Sequence, residues 1–142
     1  MIGQKTLFSS NSDEWETPQD FFDKLNKEFK FNFDLAATKD NRKCNDFTSD
    51  IFNTTFIDWF NCHKDLMFWC NPPYSKCKEF VKFVSDSDIR GVMLLPSRTD
   101  TRWFHDFVYK RSNVEIRFVK GRLKFSGAKY NAPFPSMLAI WR

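Results

Sequence analysis

Two short apolar runs, LMFWC at residues 66–70 and GVMLLP at 91–96, each stop at proline, and that punctuation constrains the fold more than any other feature of the chain. Continuous apolar runs of this length suit strands buried on both faces, the environment of a parallel sheet covered by helices. Proline has no N–H and a fixed φ, so it ends a ladder where it falls. After the first run the stop is double. NPPY at 71–74 follows directly, and two successive prolines make a stiff, extended corner at the strand's carboxyl end.

The neighbouring segments supply helices and further strands. In ETPQDFFDKLNKEF, Thr17 suits an N-cap, Pro18 the first helical position and Asp20 a capping-box-like start, while Phe21, Phe22, Leu25 and Phe29 share a face; the spacing predicts a helix over 18–29. FKFNF alternates with period two and predicts a strand entering a loop at Asp34. Residues 51–59 carry only a weak helix or strand signal. KCKEFVKFV sets Cys77, Phe80, Val81 and Val84 in one helical stripe, and TDTRWFHDFVYK does the same with Trp103, Phe104, Phe107 and Val108. VEIRFV, RLKF and SMLAIW read as strands. Strands alternating with helices predict an α/β fold: an open, mostly parallel sheet with a β-rich C-terminal end, and a ligand site at the strands' carboxyl ends, where Asp34 and Asn71 fall. Residues 1–12 read as a loose polar arm. Residues 13–142 read as one domain, with no separate target-recognition domain.

Composition matters mainly through charge. Net charge is +4, but up to Ser75 there are 8 Lys+Arg against 12 Asp+Glu, and from Lys76 onward 14 against 6. A basic second half favours a polyanionic partner, nucleic acid being the commonest, although excess lysine can also be a solvated face. Cys44, Cys62, Cys70 and Cys77 form no CxxC pair, so no metal site is expected. Free thiols, no signal peptide and no membrane-length apolar run predict a cytoplasmic protein.

The double-proline corner has a chemistry of its own. Asn71 brings an amide carbonyl, and the prolines present backbone carbonyls with no N–H beside them. Converging acceptors without a carboxylate suit a substrate amine, whose two hydrogens they take while its lone pair is aimed at an electrophile. Tyr74 adds a flat face for stacking a ring.

NPPY after an apolar strand resembles motif IV of the amino-methyltransferases, which methylate adenine or cytosine amines in DNA, or glutamine amides in proteins, from S-adenosylmethionine. DEWETPQDFFDKLNKEFKFNFDLAAT, then DW at 58–59, FWCNPPYS, LLPSRTDTRWFH, VKGRLKF and APFPSML are similar, in that order, to the phage-type DNA N6-adenine methyltransferases, the Dam-like proteins of phages and prophages. The resemblance implies a compact Rossmann-like methyltransferase fold, a DNA partner, a bacterial host cytoplasm, and a monomer or weak dimer. It implies catalysis by Asn71, Pro72, Pro73 and Tyr74, and contacts to S-adenosylmethionine from Trp15, Thr17, Pro18, Asp34, Ala36 and Asn71. Asp50 and Asp58 are the candidates for the ribose hydroxyls, or else solvated loop charges. Ala36 and Ala37 stand where many methyltransferases carry a glycine-rich turn, and Asp34 reads equally well as a turn residue or cap.

The target adenine would be flipped out and stacked on Tyr74, with Phe134 as the candidate opposite wall or simply core. Arg98 and Arg102, beyond the second proline-ended strand, and Lys120, Arg122 and Lys124 in the basic stretch are the candidate DNA contacts. Arg98 could instead pair with Asp100. Two other readings stay open: a protein glutamine methyltransferase sharing NPPY, and a non-catalytic nucleic-acid-binding module on the same scaffold.

Overall fold

Both proline-terminated runs are strands in the computed structural model, which describes residues 15–142; the expected arm at 1–12 lies outside the described residues. In chain order the elements are α1 (Gln19–Phe29), β1 (Phe33–Asp34), α2 (Thr54–Asn61), β2 (Met67–Cys70), a 3₁₀ turn (Tyr74–Lys76), α3 (Cys77–Ser85), β3 (Arg90–Pro96), α4 (Arg102–Phe107), β4 (Val114–Phe118) and β5 (Ser136–Trp141).

The helix ends follow local chemistry, with one correction. α1 stops where Lys30 turns left-handed at φ 56° and returns its N–H to the Asn26 carbonyl. Of the alternating FKFNF stretch only Phe33 belongs to β1, and Asp34, expected to begin the loop, is the strand's second residue, paired with Trp69. At the other end Thr17 is not an N-cap: the helix begins at Gln19 without a side-chain cap, and Asp20 accepts from the N–H of Phe21. The weak signal over 51–59 resolves as α2, capped by Asn53 accepting from Phe56 N–H at 3.1 Å.

The sheet order is β1-β2-β3-β5-β4. β1–β2 and β2–β3 are parallel, whereas β3–β5 and β4–β5 are antiparallel. The sheet is therefore mixed, which corrects the expectation of a mostly parallel one. No helix separates β4 from β5, and a parallel pairing would need a crossover; the returning chain instead slots in antiparallel between β3 and β4. RLKF at 122–125 is not a strand. Its two alternating apolar residues pin a loop instead: the Leu123 carbonyl accepts from Ala132 N–H at 2.7 Å, and Phe125 is buried.

Period-two burial along the strands splits the core into two layers. Phe68, Met93, Leu95, Met137 and Ala139 face one way, against Phe60 of α2, Val81 and Val84 of α3, and Phe104 of α4. Trp69, Val92, Leu94, Leu138 and Ile140 face the other way, against Phe22 of α1 and the loop residues Phe125 and Ala132. The sheet is thus covered on both faces, as the continuous apolar runs require.

Candidate active site

The antiparallel insertion of β5 decides what surrounds the proline corner. Ser136, its first residue, pairs with Pro96 at the end of β3, and Phe118 at the end of β4 pairs with Met137. The carboxyl ends of β1 to β4 and the amino end of β5 therefore share one edge, and the 119–135 loop leaves from it and returns to it.

Asn71 is the first residue past β2 and is half-buried at that edge. Its Nδ2 donates to the Trp15 carbonyl and, at 3.0 Å, to Thr17 Oγ1. A carbonyl oxygen cannot donate, so the Trp15 contact settles which end of the amide is nitrogen. Both amide hydrogens are spent on the protein, and Oδ1 is the end left for an incoming donor. Pro72 is buried, and the Pro73 carbonyl accepts from Lys76 N–H at 2.9 Å to close the 3₁₀ turn carrying Tyr74. Of the two proline carbonyls, Pro73's is thus engaged within the turn.

A cavity of about 310 Å³ opens beside Asn71. Trp15, Thr17, Asp34, Ala36, Asn71, Pro72 and Pro73 line it, joined by Asn41, Lys43, Ser49, Phe80 and Ser126. Asp34 is 2% exposed, and its carboxylate accepts from Ala36 N–H at 3.1 Å and Lys43 N–H at 2.9 Å. Burial pushes this carboxyl above its usual range, and the two N–H groups pull the other way. Asp34 thereby shapes the 36–43 loop that walls the cavity. Pro18 and the two candidate ribose ligands are not in the lining: Asp50 is exposed beside Ser49 and accepts from Phe52 N–H, and Asp58 is exposed on α2.

A second, much smaller cleft of about 10 Å³ shares Trp15, Asn71 and Pro72 with the first and adds Tyr74, Phe134 and Ser136. Tyr74 and Phe134 touch, with ring centroids 5.3 Å apart, and Trp15 stands edge-on to Phe134 at 5.5 Å. Arg98 lies over the Tyr74 ring at 5.1 Å, a cation–π contact, and it takes part in no ion pair found among the described residues, with Asp100 or otherwise.

Lys120, Arg122 and Lys124 are exposed on the loop leaving β4, and Arg102 is exposed at the start of α4. Arg117 is engaged differently: it pairs with Glu28 at 2.8 Å and Glu115 at 2.6 Å, tying α1 to β4 and holding both carboxyls below their usual range. Burial pushes the Cys70 thiol, next to Asn71, well up, so it stays protonated. Among the described residues no cluster of His, Cys, Asp and Glu could hold a metal ion, and no helix is long and apolar enough to cross a membrane.

Several lining residues escape sequence reasoning, Phe80, Lys43 and Ser136 among them. Phe80 reads as one more member of a helical stripe, and Lys43 sits nine residues past Asp34 in a polar stretch without period. Ser136 had a faint signal, as a lone polar residue between a proline and a fully apolar strand.

The family model described as DNA N-6-adenine-methyltransferase (Dam) matches residues 4–142. A DNA N-6-adenine-methyltransferase of Escherichia phage T1 is 33% identical over 115 residues, covering 78% of this chain and 46% of that relative. The chain thus spans a little under half the length of the curated relative it matches. No solved structure matches it significantly. With a match running almost from end to end, the chain belongs to the DNA N-6-adenine-methyltransferase (Dam) family.

Proposed function

We propose that this chain is a DNA adenine methyltransferase that transfers a methyl group from S-adenosylmethionine to the N6 amine of an adenine flipped out of DNA. One observation carries the reading: the larger cavity and the aromatic cleft meet at Asn71 and Pro72, the acceptors suited to an amine. A two-substrate transfer needs that arrangement, one reactant on each side of the group that aligns them.

The larger cavity fits S-adenosylmethionine in size and in chemistry. Its volume of about 310 Å³ lies at the small end of ligand sites. Phe80 and Trp15 offer faces to a purine, Lys43 a cation to a carboxylate, and Glu16 an acid to an ammonium. Asp50, adjoining the lining residue Ser49, is better placed than Asp58 for ribose hydroxyls. Bound there, S-adenosylmethionine supplies an electrophilic methyl group on a positively charged sulfur.

The chain's own work is alignment and charge stabilisation. Asn71 Oδ1 and the Pro72 carbonyl take the two amine hydrogens, hold the lone pair out of ring conjugation, and stabilise positive charge as it develops on nitrogen. A base stacked between Tyr74 and Phe134 needs about 7 Å between the two rings at van der Waals contact, so they separate to admit it. Arg98, Arg102, Lys120, Arg122 and Lys124 hold phosphates around that opening. The mixed sheet, with β5 antiparallel beside β3, serves as the Rossmann-like scaffold.

The test is to supply labelled S-adenosylmethionine with DNA free of methylated adenine, or with cell extract. Label on DNA N6-methyladenine is expected, and Asn71→Ala should lower turnover roughly 10²- to 10³-fold. Label on protein would favour a glutamine methyltransferase. DNA binding without any label would favour the non-catalytic module.

A further inference from the structure

We infer that the hydroxyl of Ser136 reads the target base, donating a hydrogen bond to a ring nitrogen that flanks the amine held by Asn71. This role rests on the proposed function and adds to it a contact for the base edge.

Ser136 is 1% exposed, and its Oγ has no hydrogen-bond partner among the described residues. Buried hydroxyls are almost always paired, because leaving one dry forfeits its hydration with nothing in return. The backbone around it is engaged normally: Ser136 pairs with Pro96 in the sheet, and its carbonyl accepts from Val119 N–H at 3.0 Å. Only the side chain is left over. Ser136 lines the small cleft together with Asn71, Pro72, Tyr74 and Phe134, the residues assigned to hold and stack the base. Among the described residues the other buried hydroxyl without a partner, Ser97 Oγ, lies outside that lining.

The chemistry is complementary to an aminated ring. Asn71 Oδ1 and the Pro72 carbonyl are acceptors and consume the amine's two hydrogens. An adenine then still presents bare acceptors on either side of the amine, N1 and N7, and a serine hydroxyl can donate to one of them. With the rings closed, the cleft has room for about one water, which a base would displace.

The experiment compares the full chain with Ser136→Ala on DNA containing adenine, 1-deazaadenine or 7-deazaadenine. Ser136→Ala should lower kcat/KM on adenine DNA roughly 10- to 100-fold. Its affinity for S-adenosylmethionine and its Tm should not fall, since the hydroxyl has no partner among the described residues. One deaza analogue should slow the wild type by a similar factor and be slowed no further by Ser136→Ala. Unchanged kcat/KM on DNA that the wild type methylates would overturn the role while leaving the proposed function standing. A marked drop in Tm, or an equal effect of Ser136→Ala on all three DNAs, would overturn it in favour of a structural hydroxyl. Absence of any methyl transfer to DNA by the wild type would defeat the proposed function itself, and this role with it.

Discussion

The side-chain amide of Asn71 donates to the hydroxyl of Thr17 across 3.0 Å, joining the corner after β2 to the segment before α1. Thr17 is 2% exposed, and its carbonyl in turn accepts from Ser126 Oγ at 3.3 Å, so three stretches distant in sequence meet at one residue. With Nδ2 held by Thr17 and the Trp15 carbonyl, Oδ1 is the end of the Asn71 amide left to accept. Thr17→Val keeps the shape and removes the acceptor, and it should lower kcat about tenfold, the worth of roughly one hydrogen bond. Thr17→Ser should restore most of it. Steady-state kinetics on both variants, with Tm as a control, decide the point; equal kcat in Val and Ser would refute it.

Asp34 ties pH to stability through its buried carboxyl. Burial raises its pKa above the ordinary 3.8, so between that value and the raised one the folded state binds more of the proton than the unfolded state. Its contribution to stability therefore declines as pH rises through that window and is level above it. Asp34→Asn cannot titrate, so the wild type should lose ground to it over the same window in urea denaturation. The variant keeps one acceptor for the two N–H groups of Ala36 and Lys43, and its affinity for S-adenosylmethionine should fall by calorimetry.

Charge on the basic half is not all available to a polyanion. Arg117 is committed to Glu28 and Glu115, whereas Lys120, Arg122 and Lys124 are exposed and in none of the ion pairs found among the described residues. Replacing those three with Gln should reduce the slope of log K against log salt by roughly two to three. Arg117→Met should leave the slope unchanged. Fluorescence anisotropy over a salt series separates the two outcomes.

Gly91, the second residue of β3, has no room for a side chain. A Cβ there would lie 2.1 Å from Cδ2 of Phe68, the fully buried residue paired with it across β2 and β3. Gly91→Ala should destabilise the fold by about 1–3 kcal/mol through overpacking. A denaturation midpoint equal to the wild type's would show that Phe68 has room to move.

Much of the scaffold was legible because local chemistry and tertiary demand agree in it. LMFWC and GVMLLP are strands since only a doubly covered sheet can bury such runs, and the stripe Cys77, Phe80, Val81, Val84 is a helix since only that period gathers it on one face. RLKF misled because two alternating apolar residues look the same whether they pair in a sheet or pin a loop. Thr17 misled because a hydroxyl before proline has the right chemistry for a cap as well as for a contact 54 residues away.

By itself, the sequence determined the double-proline corner, the amide at its start and the covered strands beside it, since proline stereochemistry and hydrophobic burial act over a few residues. The direction of β5, the lock on the Asn71 amide, the two cavities meeting there and the unpartnered hydroxyl of Ser136 were decided only by the tertiary structure. Each depends on which distant segments are brought together, and no local pattern of residues carries that information.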